Sequence, residues 1–425
     1  MDPCTESNLN PLACGEAQPA PRLTRLDEAL TQLLAAIDPI GDHERVSLKK
    51  ATGRILAKDI FAHHDIPPFR NSAMDGYALR VADLPLARTT GLRLLGASLA
   101  GHPYSGQCEP GGCVRILTGA PVPEGADAVV MQEFAQRQDD RVHLRTDVKA
   151  GEYIRPAGDD VRAGAPLLVR GKRLNAADLG LLAADGRYDV PVIRRLRVAY
   201  FSTGDELKPI AQPLGFGDIH DSNRYTLHAL LQHPWLQAID LGVARDEPRA
   251  VRQVLADAAA IADVVISTGG VSVGEADFVT GALADLGRID YWKLAIKPGK
   301  PLAIGQIEGA WFFGLPGNPV AVIVTFWQVV RPALLRLTGT EIKPPLRLRA
   351  TCDSLLKKVP GRLEFQRGRY EMDAAGTLRV SVSGGQGSHQ LAGISQANCL
   401  IVLPADNAGV APGEPVEIEP LDANW

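Results

Sequence analysis

Asp263–Phe278, DVVISTGGVSVGEADF, opens as an apolar β-branched run, breaks at Gly269 and Gly270, and closes on Glu275 and Asp277 where a helical pattern starts. A buried strand that runs through a glycine turn into a helix is half of a βαβ unit. The same alternation recurs on both sides. RVAYFS, AIDLGVA, DVVIS and AWFFGL read as strands, while NRYTLHALLQ, PRAVRQVLADAAA, ADFVTGALADLG and the segment after Pro319 read as helices. In the second of these helices Pro248 stands in the first turn, and Val251, Val254, Leu255 and Ala258 share one face. Strands alternating with amphipathic helices predict a parallel, doubly wound sheet over 194–338. Ligands of such sheets bind beyond the carboxyl ends of the strands.

Outward from this core the pattern changes. Residues 1–22 are rich in Pro, Ala and small polar residues without periodicity, as in a disordered arm. LDEALTQLLAAI predicts a helix from its spacing of Leu26, Leu30, Leu33, Leu34 and Ile37. Residues 61–150 are short apolar runs split by Gly and Pro, a small β-rich domain inserted between 23–60 and 151–193. The latter pair forms an N-terminal domain, with a helix at NAADLGLLAA and Asn175 as its N-cap. The last segment, 339–425, alternates as a small β barrel or sandwich.

At 425 residues the chain is too long for one core, and its 45% hydrophobic and 22% charged residues are those of a globular protein. A net charge of -4 gives no overall attraction to nucleic acid or anionic membrane, so any anion must be caught locally. No apolar run reaches the ~18 residues that span a bilayer, and no basic-then-apolar leader opens the chain. Six dispersed cysteines without a C-x-x-C pair read as reduced cytoplasmic thiols.

Each predicted strand ends in polar residues. STGDEL carries Glu206, ARDEP carries Asp246, and STGGVSVGEAD carries Asp277. On parallel strands these three carboxylates share one crevice, where a hard cation such as Mg2+, usually accompanied by phosphate, would offset their repulsion. Gly269, Gly270 and Gly274 let the backbone approach a ligand and turn N–H groups toward an anion. The same residues also suit a tight turn with Asp277 as a helix cap. YWKLAIKPGKP supplies Lys293, Lys297 and Lys300, readable as a solvated face or, beside carboxylates, as phosphate contacts. GLPGNP places Pro316, Gly317 and Asn318 before a helix start whose N–H groups suit an anion. In the last domain Arg367 with Ser388 would clamp an oxyanion through the guanidinium fork.

NSAMDGYA, RILTGAPVPEGADAVVMQE, FSTGDEL, STGGVSVGEADF, WKLAIKPGKP, GLPGNPV and FQRG with QGSH, in this order, resemble the molybdenum-insertion enzymes of molybdenum-cofactor biosynthesis, relatives of the insertase domain of gephyrin. The resemblance covers the chain from about residue 23 onward. It implies a multidomain α/β plus β fold: an elongated N-terminal domain, an inserted β-rich domain, a central molybdopterin-binding domain and a C-terminal β domain. It further implies a homodimer whose active site lies between the α/β domain of one subunit and the inserted domain of the other. The implied reaction takes adenylylated molybdopterin and molybdate, with Mg2+ present, and releases AMP.

By the resemblance, functional positions fall on Asp75, Thr118, Glu206, Asp246, Asp277, Lys293, Lys297, Arg367 and Ser388, with Glu206, Asp246 and Asp277 toward the metal. The glycine loop with Ser272 would hold the pterin or its phosphate. Transient contacts with the molybdopterin adenylyltransferase and with recipient molybdoenzymes are also expected. Two residues depart from the family pattern. Arg70 replaces an acid before NSAMDGYA, and Ala321 replaces a serine after PGNPV. Rival readings are an adenylyltransferase, a nucleotide pyrophosphatase, or a clustering scaffold.

Overall fold

The computed structural model describes residues 23–269 and 287–421. Gly270, Ser272, Gly274 and Asp277 therefore lie outside the described residues. The chain forms two compact units: Gly41–Arg194, and the segment up to Ile40 joined with Arg195 onward.

The helix predicted at the N-terminus is α1, Leu26–Ala36. By its contacts it stands with the second unit. Thr24 N–H donates to the Lys293 carbonyl at 2.9 Å, Ala295 N–H donates to Thr24 at 2.7 Å, and Arg336 Nε donates to Ile37 at 3.2 Å.

In the first unit, β1 (His43–Ser47) pairs antiparallel with β8 (Asp189–Ile193), so the unit's two ends close on each other. Between them lie β2 (Gly76–Leu79), β3 (Leu92–Ser98), β4 (Gly112–Ile116), β5 (Ala128–Met131), β6 (Ala135–Gln138) and β7 (Arg141–Leu144). They form one six-stranded sheet ordered β5-β2-β4-β3-β7-β6. Helix α2, Ala176–Ala184, begins as its sequence predicts. Asn175 Oδ1 accepts from Asp178 N–H, and Asp178 Oδ2 accepts from Asn175 N–H, both at 3.0 Å, a capping box.

The second unit holds the α/β sheet: β9 (Leu196–Thr203), β10 (Leu236–Ala244), β11 (Val264–Thr268), β12 (Gly287–Lys293), β13 (Pro301–Ile307) and β14 (Ala310–Leu315). Its order is β10-β9-β11-β14-β13-β12. The first four strands are parallel, as the alternation predicts. The last two extend the sheet antiparallel. The sequence reading has no strand at 301–307, because Gly305 and the polar Gln306 interrupt its apolar run. Helices α3 (Ser222–Leu230) and α4 (Pro248–Ile261) connect the parallel strands. Helix α4 seals one face of the sheet: Val251, Leu255 and Ala258 are fully buried against Ala199, Phe201, Val265 and Phe312. Burial of a Val or Leu side chain stabilises by about 1.5–3 kcal/mol, so this stripe holds the helix to the sheet.

Helix α5, Pro319–Leu337, is long and apolar enough to cross a bilayer by length and composition, yet 67% of its most apolar window is buried in the fold. The C-terminal segment closes into a five-stranded barrel: β15 (Leu348–Cys352), β16 (Leu363–Met372), β17 (Leu378–Val382), β18 (Cys399–Leu403) and β19 (Pro415–Pro420). Closure comes from β18 pairing with both β19 and β16. Ile296 and Lys297 run parallel beside Leu363 and Glu364, which joins the barrel to the α/β domain.

Candidate active site

The seam between the α/β domain and the barrel encloses a cavity of about 660 Å3. Its wall carries Gly269, Lys297, Lys300, Pro316, Gly317, Asn318, Arg367 and Ser388, drawn from five separate stretches of sequence. Ala321, Arg362 and Glu364 also line it. Lys293 is absent from this wall. Its backbone pairs instead with Pro301, and its carbonyl accepts from Thr24.

Gly269 ends β11 with φ +84°, and a Cβ there would stand 2.6 Å from the Thr203 carbonyl. Only glycine permits this turn, and a Cβ added to Gly317 on the facing loop would stand 3.9 Å from the Gly269 Cα. Asn223 Nδ2 donates to the Gly317 carbonyl at 2.7 Å and fixes the facing loop. At the start of α5, Val320 N–H donates to the Ser388 carbonyl at 3.1 Å. One of the helix-start donors expected to face an anion is thus spent on tying the barrel loop to the helix. Ala321 leaves the remaining backbone there without a side-chain hydroxyl.

Arg367 is 1% exposed. Its Nη1 donates to the Gln386 carbonyl at 3.1 Å, and its Nη2 donates to the carbonyls of Gly385 and, at 3.1 Å, Gly387. The fork expected to clamp an oxyanion therefore grips the 385–387 backbone, because a buried guanidinium must place its donors. Burial holds this guanidinium below its ordinary pKa. In this arrangement Arg367 positions the loop that presents Ser388.

At the ends of β9 and β10 the carboxylates also gather. Glu206 folds back on Gly204, where a Cβ would meet its Oε2 at 2.6 Å. Asp246 N–H donates to Asp205 Oδ1 at 3.2 Å. Burial, followed by the charges of Asp205 and then Glu206, pushes the Asp246 carboxyl above the usual carboxylate range. Asp205 went unnoticed in the sequence, although it shares the STGDEL turn with Glu206. Among the described residues no group of three or more His, Cys, Asp or Glu side chains is placed to enclose a metal ion. Their hard oxygens and mutual repulsion nevertheless fit Mg2+, which takes only one or two carboxylates and fills its shell with water and phosphate.

Asp75 and Thr118 meet in the first unit. Thr118 donates through both N–H and Oγ1 to Asp75 Oδ1, each at 2.7 Å. These bonds hold the Asp75 carboxyl below its ordinary range, helped by the Arg115 charge. Arg70, which replaces an acid in the family pattern, donates to the Ala126 carbonyl at 3.2 Å.

Comparisons with known proteins match three successive regions of the chain. Residues 24–186 match the MoeA N-terminal region (domain I and II), 199–336 a probable molybdopterin binding domain, and 349–421 the MoeA C-terminal region (domain IV). The chain is 42% identical over 399 residues to a molybdopterin molybdenumtransferase of Haemophilus influenzae, covering 93% of this chain and 98% of that one. It is 37% identical to one of Nostoc, over 98% of this chain and 96% of that one. It also resembles a crystal structure of the molybdopterin biosynthesis MoeA protein from Pyrococcus horikoshii, with a TM-score of 0.81 and 31% identity, over 94% of this chain and all of that one. With its three regions matched in order and relatives alike over nearly their whole length, the chain belongs to the molybdopterin molybdenumtransferase family, enzymes of molybdenum-cofactor biosynthesis.

Proposed function

We propose that the protein takes adenylylated molybdopterin and molybdate, places molybdenum on the dithiolene sulfurs, and releases AMP. The observation that carries this reading is the cavity at the seam, whose wall holds Lys297, Lys300 and Arg362 together with the glycine turns at Gly269 and Gly317. Cations serve an oxyanion, and bare backbone serves a phosphate or a flat ring. Lysine and arginine donors would orient molybdate, while Gly269 and the Pro316–Asn318 turn would seat the pterin phosphate. Asp205, Glu206 and Asp246 would hold Mg2+, which when bound supplies charge neutralisation at the phosphoanhydride. Asp277, Gly270, Ser272 and Gly274 belong to the same proposal through their motif, as does the direct part of Lys293.

The pair Asp75 and Thr118 enters this proposal from the first unit. The homodimer implied by resemblance would supply it in trans, and a cytoplasmic setting with the adenylyltransferase and molybdoenzymes as transient partners completes the reading. Incubation with adenylylated molybdopterin tests it: AMP release should require molybdate. With ATP, Mg2+ and free molybdopterin the protein should release no pyrophosphate at a useful rate. Rapid pyrophosphate release would make it an adenylylating enzyme instead.

A further inference from the structure

Among the described residues of the cavity wall, Glu364 is the one carboxylate beside the cations Lys297, Lys300, Arg362 and Arg367. It is 4% exposed, lines the cavity, and stands on β16. Lys297 Nζ donates to its Oε1 at 3.0 Å. Gln366 Nε2, two residues along the same face of the strand, donates to the same oxygen at 3.0 Å and to the Lys357 carbonyl at 2.9 Å. The chain Lys297, Glu364, Gln366, Lys357 thus runs from the cavity into the barrel wall.

A buried carboxylate costs several kcal/mol in desolvation unless it is paired and hydrogen-bonded, and an anion pocket is an unfavourable place to keep one. Its surroundings account for it. Lys297, Arg362 and Arg367 share the cavity wall with it, and Lys358, which feels the Glu364 charge, is itself buried, donating to the carbonyls of Ala405 at 3.1 Å and Asn407 at 2.9 Å. Without a counter-charge these cations repel one another. An ammonium also has three donors, so a bond to Glu364 fixes Nζ and leaves two for a ligand.

We infer that Glu364 is a positioning residue for oxyanion binding: it fixes the Lys297 ammonium at the cavity wall and supplies the fixed negative charge that lets the basic cluster assemble before the anion arrives. The inference rests on the reading of this cavity as the molybdate site. It makes the pocket preorganised, since Lys297 need not give up rotamer freedom when the anion binds.

The test is a double-mutant cycle with Glu364→Gln, Lys297→Met and the double variant, read by molybdate calorimetry, by KM for molybdate against kcat, and by thermal melting. Glu364→Gln should weaken molybdate about tenfold and raise its KM in step, with kcat changed less than about threefold. The double variant should bind no worse than Lys297→Met, because Glu364 acts through Lys297. Should Glu364→Gln fail to fold, Glu364→Asp keeps the charge and shortens its reach, and the same shift in affinity with kcat preserved is expected. Tighter molybdate binding in Glu364→Gln would mean that the carboxylate competes with the anion, and additive losses would mean a merely structural role. Either overturns the inference while leaving the cavity as the molybdate site. Failure of the wild type to bind molybdate overturns both.

Discussion

At the scale of single residues, the Asp246 environment sets up a conflict between stability and function. A carboxyl whose folded pKa lies above its unfolded value contributes stability below the unfolded pKa and loses it as pH rises through the folded one. Ionised at neutral pH beside Asp205 and Glu206, Asp246 therefore works against folding. Asp246→Asn should melt at a higher temperature than the wild type at pH 7, and the difference should close toward pH 4. Turnover should fall on the order of a hundredfold or more, the usual loss when charge stabilisation at a reacting centre is removed. Melting curves at both pH values, with AMP release measured at pH 7, check the pair of effects. A variant as active as wild type would strip Asp246 of its role. Such residues are legible in sequence by type and by position at strand ends. Asp205 and Glu364 were missed because their significance comes from neighbours remote in sequence: Asp205 matters through Asp246 and Glu364 through Lys297.

At the scale of elements, the barrel loop is held by two neighbours, by Arg367 on β16 at 385–387 and by the first turn of α5 at Ser388. Arg367→Lys keeps the charge but loses the fork that reaches three carbonyls at once, and hydrogen bonds from a charged donor contribute about 1.5–3 kcal/mol each. We expect a loss of about 2 kcal/mol or more in urea unfolding, together with weaker molybdate binding as Ser388 loses its setting. Unchanged stability would return Arg367 to the direct clamp that its sequence suggests. The parallel strands and connecting helices were readable because periodicities of two and 3.6 residues and the glycine turns act locally. The antiparallel pair β12 and β13 was not, since KLAIKPGKP between them reads as a charged loop. Nor was the place of α1, which is decided by packing against a helix at the far end of the sheet domain.

For the molecule as a whole, Gly41–Arg194 is bounded by strands that pair with each other, and Arg194 Nε bonds Asp42 at 3.0 Å across the two ends. It has its own buried clusters, one under the six-stranded sheet around Leu79, Leu92 and Val142, and another around Leu56, Leu182 and Val190. A segment with adjacent ends and its own core should fold when cut out. Residues 41–194 expressed by themselves should therefore unfold in one cooperative urea transition. A gradual transition without near-UV dichroism would show that the unit borrows stability from the remainder. In the first unit the sequence disclosed the β-rich insert through its Gly and Pro spacing, whereas the pairing of its ends depends on residues 150 positions apart, such as His43 and Ile193.

The bond from Arg336 to Ile37 spans 299 positions. During synthesis at about 5–20 residues per second, α1 leaves the ribosome roughly 15–60 s before the helix it will rest on. Through that interval its apolar face, with Ala29 and Leu33, has no finished partner, while the inserted unit has time to complete itself. A ribosome that stalls within the α/β domain would thus release a chain with a sound middle and a bare leading helix, the kind of exposed surface that chaperones and proteases recognise.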